Sequence, residues 1–187
     1  MMAEQEGGKH APERRIVPKK MAHFVVKTLN LAASVRWYKL VFQAEAIFDN
    51  GKLAFLYFDD EHHRIVIGEL PGLDPLNTKA IGFDHVAFTY ASMEDLLSTY
   101  VRLKSAGIEP YFKIDHGPTT SLYYHDPDGN QIELAVDNFS SITGAHNYFR
   151  SAKFARNPLG VEVDPDDLVR RWTAGEAPDN LLGSGTR

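Results

Sequence analysis

His23-Phe24-Val25-Val26-Lys27-Thr28 and, further along, His85-Val86-Ala87-Phe88-Thr89-Tyr90 read as one strand written twice, each an imidazole followed by residues that stay apolar or alternate. The segments after each copy also repeat. After the first, Asn30 is placed to cap a helix whose Leu31, Val35, Tyr38 and Phe42 recur near the helical period. Strand-like runs then come around residues 44–49, 53–58 and 63–68, divided by the turn residues Asn50-Gly51 and Asp59-Asp60. After the second, Ser92 and Asp95 form a capping-box pattern, and Met93, Leu97, Tyr100 and Val101 share a stripe that ends near Gly107. Strands are expected near 109–114, 120–125 and 130–136, the last two joined by Asp126-Pro127-Asp128-Gly129-Asn130. A βαβββ unit therefore occurs twice, and Leu56-Tyr57-Phe58 is aligned with Leu122-Tyr123-Tyr124.

The expected fold class is α+β, with two tandem βαβββ modules at residues 21–70 and 82–138 in one domain spanning 21–140. Residues 1–20, with Gly7, Gly8, Pro12 and Pro18, read as a flexible arm, and its basic cluster Arg14, Arg15, Lys19 and Lys20 as solvated. Residues 141–187 read as a C-terminal helical extension, because Asp164-Pro165-Asp166-Asp167 combines a cap, an early proline and acids at the positive end of the helix dipole. Residues after about 176 read as frayed.

A chain of 187 residues with 43% hydrophobic content can bury a core. Its formal charge of -5 argues against nucleic-acid binding, which leaves a clustered excess of Lys and Arg. With no cysteine, any metal must be held by nitrogen and oxygen. No window approaches a membrane span and no apolar leader opens the sequence, so a cytoplasmic location with no membrane partner is the expectation.

Three residues stand out chemically. His23 and His85 open equivalent strands, and Glu133 sits inside the apolar run Gln131-Ile132-Glu133-Leu134-Ala135-Val136. Alone, a strand histidine is more often a hydrogen-bonded core or edge side chain, and a strand acid more often faces solvent. Together they fall on the first strand of each module and the last strand of the second, where they can converge on one concave surface as metal ligands. The equivalent of Glu133 in the first module is Val66, so the set has three protein ligands and open positions. Two imidazoles and one carboxylate suit non-haem Fe(II), and Mn(II) fits the same donors. His62 and His63 are adjacent on a strand, so at most one can face the site. His116 before Gly117-Pro118 and Tyr123 are further candidates, as a proton carrier and a hydroxyl donor, against a loop hydrogen bond and core packing respectively. His10, His125 and His146 read as structural or surface residues.

The run His116-Gly117-Pro118-Thr119-Thr120-Ser121-Leu122-Tyr123-Tyr124-His125-Asp126-Pro127-Asp128-Gly129-Asn130-Gln131-Ile132-Glu133, with Glu61-His62-His63-Arg64, resembles the vicinal oxygen chelate superfamily. Within it, residues 22–140 are most similar to the type I extradiol ring-cleaving dioxygenases that have only two modules. The DPDGN element is common to the superfamily, while the HG, Tyr and HH elements narrow it to the dioxygenases. That resemblance implies His23, His85 and Glu133 as the iron ligands, His63 as the active-site acid/base, and His116 and Tyr123 as hydrogen-bonding groups around bound substrate. It further implies an aromatic diol such as catechol or 2,3-dihydroxybiphenyl and dioxygen as substrates, and a homo-oligomer is expected. The alternatives are a metal-dependent lyase or isomerase of the glyoxalase I type, for which the apolar Val66 offers no fourth ligand, and a non-catalytic resistance protein that binds a small molecule.

Overall fold

The computed structural model describes residues 17–177 and Leu181, so the greater part of the expected arm, with Arg14 and Arg15, and nearly all of the chain end after 176 lie outside the described residues. The first module comprises β1 (Phe24–Thr28), α1 (Leu31–Phe42), β2 (Glu45–Asp49), β3 (Leu53–Tyr57) and β4 (Ile65–Glu69). The second comprises β5 (His85–Tyr90), α2 (Met93–Ser105), β6 (Phe112–Asp115), β7 (Thr119–His125) and β8 (Gln131–Asp137). Beyond them lie α3 (Ile142–Phe149), α4 (Ala152–Arg156), β9 (Val161–Glu162) and α5 (Pro165–Thr173). The extension is thus not helical throughout, because β9 adds a fifth strand to the second sheet by pairing with β6.

The sheet orders β1-β4-β3-β2 and β5-β8-β7-β6-β9 put each module's first strand beside its last, parallel, with the rest antiparallel. Strand alternation then separates two faces. Val26 and Thr28, with Ile65 and Ile67, turn toward the helices and are buried, as are Ile132, Leu134 and Val136 in the second sheet. Leu31, Val35, Tyr38 and Val41 of α1 and Met93, Leu96, Leu97, Tyr100 and Leu103 of α2 complete one core shared by both modules. Both helices start as expected, with Asn30 accepting from the Ala33 amide and Ser92 from the Asp95 amide.

The two registers fix the module equivalence. Val25 pairs with Val66 as Ala87 pairs with Glu133, so Val66 occupies the position that Glu133 holds in the second module. Phe55 lies opposite Val66 as Tyr123 lies opposite Glu133, so the counterpart of Tyr123 is Phe55 rather than the Tyr57 of the sequence alignment. The reason is the longer connection 58–64 in the first hairpin compared with 126–130 in the second, which absorbs the shift. Strand β6 begins later than expected, after Pro110, which has no amide hydrogen for a ladder.

The turn 126–130 is built around Asp126. Its Oδ1 accepts from the amides of Asp128 (3.0 Å) and Asn130 (2.8 Å), and its Oδ2 from Asn130 Nδ2 (2.8 Å) and, across the module boundary, from the Tyr38 hydroxyl (3.0 Å). Lys20 ion-pairs with buried Glu61 at 2.9 Å, so this part of the basic cluster is bound rather than solvated. The C-terminal helix α5 starts at Asp164, whose side chain accepts from the Asp166 amide, and docks on α2 through Asp166, which accepts from Tyr100 (2.9 Å) and Lys104. Among the described residues no helix is long and apolar enough to cross a membrane.

Candidate functional site

The faces opposite the helices carry the candidate residues. On the second sheet, His85 and Glu133 lie on neighbouring strands with Nε2 and Oε2 2.8 Å apart. Glu133 is 7% exposed, and its other oxygen accepts from the Ser121 hydroxyl at 2.5 Å. A carboxylate this buried is costly unless charge or hydrogen bonds compensate it, and here an imidazole and a hydroxyl do. His85 Nδ1 donates to Asp84 Oδ2 at 2.7 Å, which leaves Nε2 as the nitrogen facing Glu133. An imidazole held at Nδ1 by a carboxylate, with Nε2 beside a second carboxylate, is a donor pair suited to a divalent metal.

Tyr123 stands next to them, its ring edge-on to His85 with centroids 5.3 Å apart. Burial, followed by the charge of Glu133, raises its hydroxyl pKa well above the ordinary value, so it stays a proton donor at neutral pH. His116 takes a defined orientation. Its Nδ1 donates to the Leu159 carbonyl at 2.6 Å, so Nε2 is the acceptor and receives the Tyr123 hydroxyl at 3.0 Å. The loop that carries His116 turns at Gly117, with φ +95, and a side chain there would run into the ring of Tyr148 on α3. The C-terminal extension therefore supplies both the carbonyl that orients His116 and the aromatic wall behind its loop.

On the first sheet, His23 stacks on His63 with ring centroids 4.6 Å apart, and His63 meets Phe55 edge-on at 5.2 Å. Phe55 in turn packs against Phe48. The adjacent pair is not on a strand as expected but precedes β4, so the rings do not alternate and their Nδ1 atoms meet at 2.5 Å; His63 is the one that stacks on His23, while the His62 side chain is 77% exposed and reaches Glu61 at 3.2 Å. Burial, and then the nearby rings of His62 and His23, lower the His63 pKa.

The structure thus brings His85, Glu133, Tyr123 and His116 together, and separately His23 with His63, but within one chain it does not join the two groups. Among the described residues no three His, Cys, Asp or Glu side chains are arranged to hold one metal ion. The expected convergence of His23 with His85 and Glu133 in a single chain is therefore not observed. The physical reason lies at the seam between the modules. Thr28 at the end of β1 donates to Asp128 at 2.5 Å, and Asp128 lies just before Gln131, the pairing partner of His85. Phe24, next to His23, packs instead on Phe88 further along β5. The two strands run antiparallel past each other, so His23 and His85 lie toward opposite ends of a groove of about 660 Å³ that both line.

Three contributors were not singled out in the sequence: Asp84, Ser121 and the Leu159 carbonyl. Asp84 carried a legible signal, an acid directly before a candidate ligand. Ser121 pairs with Ile114 of β6 and points along the same face as Glu133, which only the register reveals. No local pattern marks Leu159. Of the histidines set aside, His125 stacks on Tyr111 with centroids 4.0 Å apart, and Tyr111 in turn meets Tyr123 edge-on at 6.3 Å, while His10 lies outside the described residues.

Known proteins resemble this chain in sequence and fold. The sequence model of the glyoxalase/bleomycin resistance protein/dioxygenase superfamily matches residues 20–134. Biphenyl-2,3-diol 1,2-dioxygenase 2 of Rhodococcus globerulus is 42% identical over 163 residues, covering 87% of this chain and 86% of that protein. Biphenyl-2,3-diol 1,2-dioxygenase 3 of the same organism is 37% identical over 168 residues, covering 89% and 88%. Among solved structures, the fosfomycin resistance protein FosX of Listeria monocytogenes, complexed with Mn(II) and sulfate, has a TM-score of 0.56 at 21% identity, covering 71% of this chain and 99% of that one. Lactoylglutathione lyase from Agrobacterium tumefaciens has a TM-score of 0.52 at 19% identity, covering 64% and 94%. The two structural likenesses establish the fold, and the family match with the two sequence relatives establishes kinship: the chain belongs to the glyoxalase/bleomycin resistance protein/dioxygenase superfamily.

Proposed function

We propose that the protein is a metal-dependent extradiol dioxygenase that opens the ring of a catecholic aromatic diol beside its two hydroxyls, with Fe(II) held by His23, His85 and Glu133. The observation that carries this reading is the contact of His85 with buried Glu133, backed by Asp84 and flanked by Tyr123 and His116, in a chain 42% identical to a biphenyl-2,3-diol 1,2-dioxygenase. The expected donors, two imidazoles and one carboxylate, suit Fe(II), and Val66 stands where a fourth protein ligand would be; His85 and Glu133 are adjacent here, while His23 stands apart from them within the chain. Mn(II) would suit the same donors.

Bound there, the metal would supply Lewis acidity and a common anchor for both diol oxygens and dioxygen. The chain supplies the rest. The Tyr123 hydroxyl, which donates to His116 here, is placed to donate to a substrate oxygen instead. His116 Nε2, kept as an acceptor by Leu159, is placed to receive a proton from the diol or return one. His63, beside His23, is the imidazole positioned for a second proton transfer on the first-module side. Phe48 and Phe55 give the open side an aromatic wall suited to a planar ring.

The test is anaerobic loading with Fe(II), followed by catechol and 2,3-dihydroxybiphenyl in air. Oxygen uptake matched by a yellow ring-opened product is expected, with both lost in His85→Ala together with bound iron. Failure to turn over any catechol in a broad panel, or unchanged iron content in His85→Ala, would refute the reading.

A further inference from the structure

We propose that Asn138 is a positioning residue for proton transfer at His116, tying the loop that carries His116 to strand β8, which carries Glu133. The role rests on the dioxygenase reading above and adds a residue outside the cluster of His85, Glu133, Tyr123 and His116. The loop between β6 and β7 has few donors of its own. The His116 amide goes to the Thr119 carbonyl and the Gly117 amide to Asp115 Oδ1 at 2.7 Å, while Pro118 has none. Gly117 and Pro118 are buried, so their carbonyls need partners from elsewhere. Both partners come from Asn138, which is 8% exposed just past β8: its Nδ2 donates to the Gly117 carbonyl at 2.9 Å and its backbone amide to the Pro118 carbonyl at 2.8 Å. The same Nδ2 donates to Asp115 Oδ1 at 3.0 Å, and Asn138 Oδ1 accepts from the buried Thr120 hydroxyl at 3.0 Å. The Gly117 carbonyl can only accept, so the amide has one orientation. One residue thereby joins the end of β6, the His116 loop, β7 and β8. Asp115 also pairs with Val161 of β9, two residues past Leu159, so the clamp steadies the edge that presents the Leu159 carbonyl to His116.

The fold alone does not demand this clamp. In the first module the register places Pro71 at the position of Asn138, as far past Val66 as Asn138 is past Glu133. Proline brings neither a side-chain amide nor a backbone donor. The β2–β3 hairpin there closes on local groups instead, with Asn50 Oδ1 accepting from the amides of Lys52 and Leu53 and Asp49 Oδ1 from that of Gly51. That hairpin carries no histidine. The clamp therefore accompanies His116, and what it holds constant is the place of a proton carrier relative to the Tyr123 hydroxyl and the Glu133 strand. A shift of about 1 Å in such a group can cost on the order of 10²-fold in rate.

The experiment uses the full chain, loaded with Fe(II) and assayed with 2,3-dihydroxybiphenyl, beside ¹⁵N spectra of the histidine rings in the metal-free protein. Asn138→Ala is expected to lower kcat roughly 10–100-fold with KM changed less than about threefold. Its iron content should match wild type, and its His116 signals should turn from a single Nδ1–H tautomer into a mixture. Asp115→Asn keeps an oxygen for the Gly117 and Asn138 donors, so it should hold kcat several-fold above Asp115→Ala. Should Asn138→Ala fold poorly by thermal melt, Thr120→Val removes the donor to Asn138 Oδ1 at nearly constant shape and should move kcat and the His116 signals the same way by less. Wild-type kcat with wild-type His116 signals in Asn138→Ala overturns the role, as does a fall in kcat that only follows a fall in bound iron. Asp115→Asn no better than Asp115→Ala assigns the effect to charge and overturns the hydrogen-bonded clamp. Wild-type protein that turns over no catechol refutes the dioxygenase reading instead, and the His116 spectrum of metal-free Asn138→Ala still decides whether the clamp orients that ring.

Discussion

Replacing Asp84 by alanine probes the support of the proposed metal site without touching a proposed ligand. Asp84 Oδ2 takes the Nδ1 proton of His85 at 2.7 Å, and that hydrogen bond holds the Asp84 carboxyl below its ordinary pKa, so it is ionised at neutral pH. Loss of a carboxylate that orients a metal-bound imidazole costs about 10–100-fold in metal affinity. The Asp84 side chain is 79% exposed, and water screens its attraction, so the loss belongs at the low end, about tenfold. The fold should tolerate the change, because the Asp84 backbone carbonyl still accepts from Gln131 Nε2 at 3.1 Å. The assay is an anaerobic Fe(II) titration against a competing chelating dye, run beside thermal melts of the metal-free protein. Raising the salt concentration should narrow the gap between wild type and variant. Unchanged affinity would refute the orienting role, and so would a loss accompanied by an equal fall in metal-free stability.

Tyr38→Phe removes the buried bond to Asp126 across the module boundary, and a hydrogen bond to a charged group is worth about 1.5–3 kcal/mol. Because Asp126 Oδ2 keeps Asn130, the expected loss is near 1.5 kcal/mol in urea melts. Burial and then Asp126 raise the Tyr38 pKa, so its contribution is complete below about pH 10 and lost as pH rises above it; the variant should show a shallower alkaline decline. Gly117→Ala places an alanine at φ +95 and should cost about 1–3 kcal/mol, with reduced turnover as the His116 loop shifts; an unchanged melt would contradict the described turn. Asn157 Nδ2 donates to the Gly160 carbonyl at 2.6 Å, and its Oδ1 accepts from the Gly160 amide, steadying the loop that presents Leu159 to His116. Asn157→Ala should move the His116 ¹⁵N signals from a single Nδ1–H tautomer toward a mixture and lower kcat more than KM.

Local sequence pattern determined a good deal. Alternation in the strands placed His23, His85 and Glu133 on the faces opposite the helices, the caps at Asn30, Ser92 and Asp164 set where helices begin, and the repeat revealed two modules. These are properties of neighbouring residues, and a period of two or of 3.6 fixes which face a side chain takes. The tertiary structure decided what period cannot. Register made Phe55, not Tyr57, the counterpart of Tyr123, because hairpin loop length sets which residues stand opposite. Packing chose His63 over His62 for the His23 face, and a carbonyl brought from residue 159 oriented His116. The largest decision was the antiparallel passage of β1 along β5, which sends His23 and His85 toward opposite ends of one groove. That rigid-body relation depends on the summed packing of two helices, two sheets and the Asp128 contacts across the seam. No short stretch of sequence encodes such a sum, so the candidate residues could be read from the chain while their placement relative to one another could not.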